Sequence, residues 1–91
     1  MPKPLILVAQ RLANVLDREN DALRVMDLRR AVDLLPEKTA AIADLTAAES
    51  VGSRPPNPDL VSMAARLDGL AQENRQLLQR AIRPLVFCHP R

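Results

Sequence analysis

The sequence predicts an all-α protein, an up-down-up antiparallel bundle of three helices, and three observations carry that prediction. Of 91 residues 47% are hydrophobic, yet a single one is aromatic, Phe87. Leu and Ala dominate, so the core has to be aliphatic and thin. Only two glycines are present, whereas a sandwich or barrel draws on Val, Ile, Thr and aromatics in alternation, with Gly-rich turns. Finally, the apolar residues recur at spacings of three, four and seven, the period of one helical face. The length suits one domain of about 100 residues.

The first helix is expected over about 4–26. Leu5, Ala9, Leu12, Leu16, Leu23 and Met26 keep one face, and Pro4 fits a first turn, where its missing N–H costs little. Continued in phase, that stripe would bury Asp27 and Arg30. A new stripe starts instead at Leu28 and runs through Ala31/Val32, Leu35, Ile42 and Leu45. A straight helix cannot turn first one face and then another to a core. The phase change therefore predicts a tight reversal at Val25–Leu28, with Asp27 capping a second helix over 27–49. Without Gly or Pro there, one long bent helix is the alternative.

Pro36 lies inside the second helix. Leu28, Leu35 and Ile42 run past it in phase, which favours a kink; the alternative is a short helix over 28–34 and a fresh start at Pro36-Glu37. Residues 50–58, with three prolines and a glycine, read as a mobile loop. Asn57 as N-cap and Pro58 at the first helical position then open a third helix over 58–83. Pro84 is expected to end or bend it, leaving an irregular tail at 84–91.

Composition argues against chemistry. One His, one Cys, no Tyr and no Trp leave Cys88-His89 without the further ligands that structural zinc needs, and no Gly-rich phosphate loop is present. The expectation is a non-enzymatic protein without metal or cofactor. A lone cysteine forms no internal disulfide, which suits a reducing cytoplasm. No apolar run approaches the roughly 20 residues of a membrane span, so no membrane insertion is expected. Thirteen basic residues against 11 acidic give a net charge of +2, a small and interspersed surplus that does not favour nucleic acid. Arg29-Arg30 beside the Asp27 turn nonetheless leaves a small helix-turn-helix DNA-binding or regulatory protein as an alternative, and a purely structural homo-oligomeric helical bundle is another.

One local pattern occurs twice. Leu16-Asp-Arg-Glu19-Asn20-Asp-Ala-Leu23 and Leu70-Ala-Gln-Glu73-Asn74-Arg-Gln-Leu77 both read L-x-x-E-N-x-x-L. In an up-down-up bundle the first and third helices are parallel, and at about 1.5 Å per residue both Glu-Asn steps fall near the level of Leu34–Leu35. Three readings stand. The five residues Glu19, Asn20, Lys38, Glu73 and Asn74 form a polar layer in the seam, fixing register at some cost in stability; or they are hydrated residues at its border; or they contact a partner directly.

The run from Leu16 to Leu23, then Asp27, Leu34-Leu35-Pro36-Glu37-Lys38 and Leu45, resembles the first two helices of the FlgN family. Leu70-Ala-Gln-Glu73-Asn74-Arg-Gln-Leu77-Leu78 is similar to that family's later helix. The resemblance implies a cytoplasmic flagellar export chaperone, which binds the C-terminal helical segment of hook–filament junction proteins before secretion and hands it to the export gate. It implies no cofactor. Chaperones of this kind often offer a tail aromatic to the gate, a part for which Phe87 is the one candidate.

Independently, the third helix is apolar over a wider arc than one seam needs. Met63, Leu67, Leu70, Leu78 and Ile82 are the candidate partner-binding residues, an exposed strip onto which a client helix could lie. A homodimer through the same surface, or a fuller internal core, would use the same residues.

Overall fold

The computed structural model describes residues 4–49 and 58–87, and these are helical almost throughout, with no strand among them. Four helices follow in order: α1 (Leu5–Arg24), α2 (Leu28–Asp33), α3 (Leu35–Glu49) and α4 (Pro58–Phe87). The described molecule is elongated, 53 × 24 × 23 Å.

Helix α1 is the hub. Its apolar positions come in neighbouring pairs, Val8/Ala9, Leu12/Ala13, Val15/Leu16 and Ala22/Leu23, all buried. Paired positions give a helix two adjacent inward faces, so one element can take a neighbour on each side. Helix α3 packs on one face and α4 on the other. No Cα of α4 comes within 8 Å of a Cα of α2 or α3, so α1 alone joins the two sides at backbone level.

Two ion pairs set how α3 lies on α1. Arg11 Nη1 meets Asp44 Oδ2 at 2.9 Å, and Arg18 pairs with Glu37. The higher α1 number takes the lower α3 number, so the helices are antiparallel. Against α4 the order is parallel: Leu5 and Ala9 share a cleft with Leu60–Leu67, while Arg24 reaches Glu73.

The reversal lies at Val25–Asp27. The Asp27 N–H donates to the Ala22 carbonyl at 2.8 Å and the Met26 N–H to Leu23 at 3.0 Å. This is a Schellman closure, with Met26 in the left-handed region at φ 56°. The Asp27 side chain then caps α2, accepting from the Arg30 N–H at 3.1 Å. One residue thus closes α1 and opens α2.

Three boundaries differ from expectation. Pro4 precedes α1 as its cap, its carbonyl accepting from Leu7 and Val8. Pro36 splits the second segment instead of kinking it. Leu34 still bonds back to Arg30 and Ala31, but proline has no N–H to offer the Val32 carbonyl, and α3 restarts at Leu35. Helix α4 does start at Pro58, but it continues through Pro84 to Phe87. Proline's φ is already helical, and near a helix end the missing bond is one of few left to make. The supposed loop at 50–57, the Asn57 cap and the tail residues Cys88 and His89 lie outside the described residues.

The largest correction concerns the inward face of the second segment. Leu28, Leu35 and Ile42, read as the buried stripe, are 44–45% exposed. The face against α1 is Ala31, Leu34, Lys38, Ala41, Leu45 and Ala48, in which all three alanines are buried. Small side chains let α3 approach α1 closely. The larger Leu and Ile residues are left to flank the opening on the α4 side or to face outward.

Candidate functional site

The opening between α3 and α4 is divided by a polar layer. Glu19 and Asn20 of α1 are 1% and 0% exposed, and Asn74 of α4 is 4% exposed. The Asn74 amide nitrogen donates to Glu19 Oε1 at 2.8 Å and to Asn20 Oδ1 at 2.9 Å. Lys38 enters from α3, its Nζ 3.0 Å from Glu19 Oε1 and 3.1 Å from Asn74 Oδ1. Asn20 Nδ2 donates to the Leu70 carbonyl at 3.2 Å. Among the described residues no buried side-chain polar atom is left without a partner, as a polar network in an apolar seam requires.

Four of the five residues expected in the layer thus meet, and Glu73 does not. Glu73 lies at the rim, partly exposed, and takes Arg24 Nε at 3.0 Å. Its hydrogen bond, stronger than the opposing burial, pushes the Arg24 guanidinium further above its already high range. The two copies of L-x-x-E-N-x-x-L diverge for a geometric reason. Helix α1 has neighbours on two faces and buries two consecutive residues. Helix α4 packs at backbone level on α1 alone and buries one of the pair.

Below the layer, towards the start of α1, an apolar cleft of about 250 Å³ opens between Leu45 and Glu49 of α3 and Leu60, Met63, Ala64 and Leu67 of α4. Leu5 and Ala9 form its floor. Above the layer a second apolar groove, about 190 Å³, is lined by Leu28, Val32 and Leu35 on one side and Leu78, Ala81 and Ile82 on the other. The layer closes the seam between them, since Lys38 and Asn74 touch across it.

The five candidate partner residues therefore do not form one strip. Met63 and Leu67 line the first cleft, and Leu78 and Ile82 the second groove. Leu70 packs half-buried against Leu12, Leu16 and Ala41. The α3 wall of the first cleft, Leu45, was read only as core; its neighbour Glu49, one turn on, was the available sign of a seam edge. Among the described residues no group of three or more His, Cys, Asp or Glu is placed to hold a metal ion. No helix there is long and apolar enough to cross a membrane.

Compared with known proteins, the chain matches no family model, no curated protein and no solved structure.

Proposed function

We propose that this chain is a non-catalytic, cytoplasmic helix-binding chaperone of the FlgN kind. In this reading its partners are the C-terminal helical segments of hook–filament junction proteins, and it delivers them to an export gate. The three rods α1, α2–α3 and α4 form an up-down-up bundle with one side left open. The observation that carries the reading is the separation of α3 from α4 over an apolar floor. A bundle of four helices would fill that side with a fourth rod, and an amphipathic client helix has the shape and the apolar face to take the place. Met63, Leu60 and Leu45 offer aliphatic contacts on both walls, and methionine adapts to clients of differing side chains.

The test is binding of fluorescent C-terminal peptides of hook–filament junction proteins, followed by anisotropy. Met63→Asp is expected to weaken capture at least tenfold while circular dichroism shows unchanged helix content. Peptides that fail to bind the unaltered protein, or that bind Met63→Asp equally well, refute the assignment.

A further inference from the structure

We infer that the second groove, at the α2 end, is the contact between two copies of this chain. It is a different surface from the client cleft and does not depend on that reading. Six large apolar residues are 44–71% exposed at this end: Val25, Met26, Leu28, Val32, Leu35 and Ile82. The last four line one groove, and Val25 and Met26 lead into it through the turn. Their exposed parts amount to roughly 500 Å² per copy, near the upper limit for the largest apolar patch on a monomer. With the polar rim that interfaces carry, covering it would bury about 800 Å² on each copy, the size of a specific interface.

Charge favours a second copy over an unrelated partner. Arg29 and Asp33 are exposed one turn apart on α2, and among the described residues neither takes part in an ion pair. Their order also opposes the α2 dipole, which favours acids at the start and bases at the end. In a two-fold contact that runs two α2 helices antiparallel, Arg29 of each copy comes opposite Asp33 of the other. A two-fold contact is self-complementary in this way.

Met26 supplies an independent sign. A left-handed position at a helix end is normally filled by glycine, because a Cβ there is strained. Here φ is 56° and the side chain is half exposed, over no described core cluster. Met26 thus combines a strained backbone with a half-exposed apolar side chain, and strain of this kind marks working surfaces.

Sedimentation equilibrium from low micromolar to several hundred micromolar protein tests the proposal. The expected result is reversible dimerisation, lost in Val32→Asp with helix content preserved. Arg29→Asp and Asp33→Arg should each weaken the dimer about tenfold, and the double exchange should restore it. Met26→Gly should raise Tm while weakening the dimer. A protein that stays monomeric throughout overturns the proposal, as does a dimer indifferent to Val32→Asp. So does a monomer that uses this groove for the client peptides instead.

Discussion

Replacing Lys38 with methionine removes the cation of the polar layer and keeps an aliphatic stem of similar length. Glu19, 1% exposed, is then a buried carboxylate with the Asn74 amide as its one remaining described donor. Breaking a buried pair from one side costs about 3–5 kcal/mol. The Lys38 side chain keeps 17% of its exposure, so water can enter where the ammonium stood, and the lower end, about 3 kcal/mol, applies. For a domain of this length that lowers Tm by roughly 12–24 °C and removes much of a total stability on the order of 5–10 kcal/mol. Glu19→Met should cost less, because Lys38 can turn its ammonium to solvent. In the double variant Glu19→Met/Lys38→Met no charge is stranded. Asn74 keeps Asn20 as acceptor and loses the partner of its own carbonyl oxygen, at about 1–2 kcal/mol. The double variant should therefore be more stable than Lys38→Met alone. Urea denaturation at neutral pH, followed by far-ultraviolet circular dichroism for all four proteins, measures this. A Lys38→Met loss below about 1 kcal/mol, or a double variant less stable than that single one, refutes the account.

The inward face of α3 is tested by two adjacent substitutions. Ala41→Leu adds bulk at a position with 0% exposure and should cost about 1–3 kcal/mol by pushing α3 off α1. Ile42→Gln, at 45% exposure, should stay within about 0.5 kcal/mol; the opposite order in denaturation midpoints would restore the Leu28–Leu35–Ile42 stripe as the core. Gly69 stands in the interior of α4, and a Cβ there would meet nothing within 4 Å. Gly69→Ala should thus add about 0.8–1 kcal/mol through helix propensity alone, seen as a raised Tm; a lowered Tm would mean that the glycine admits a close neighbour.

Helices and their reversals were largely legible because they depend on local chemistry. The loss of phase after Met26 led to Asp27, and Asp27 both receives the α1 closure and caps α2. The polar layer was legible in position because helical rise alone puts residues 19, 20 and 74 at one level, with Lys38 about one turn away and long enough to reach a carboxylate. Its membership was not. Whether Glu73 turns inward depends on how many neighbours α4 has, and no pattern along α4 itself counts them. Only the paired apolar positions of α1, followed from Val8 to Leu23, show which helix is the hub.

The misread face of α2–α3 has a related cause with a functional consequence. Two heptad stripes are available there, a large one through Leu28, Leu35 and Ile42 and a small one through Ala31, Lys38, Ala41, Leu45 and Ala48. Hydrophobicity favours the first, but close approach of two helices favours the second, since alanine brings the backbones together and so increases contact along the whole length. Once α3 lies flat on α1, its large residues cannot also reach that core. Leu28, Val32 and Leu35 are left facing the gap towards α4, where Leu78 and Ile82 stand across from them. The same alanines that make the α1–α3 contact tight thus leave an apolar groove exposed. Filling the seam with leucine would bury the bulk inside the chain, at the cost of the apolar groove.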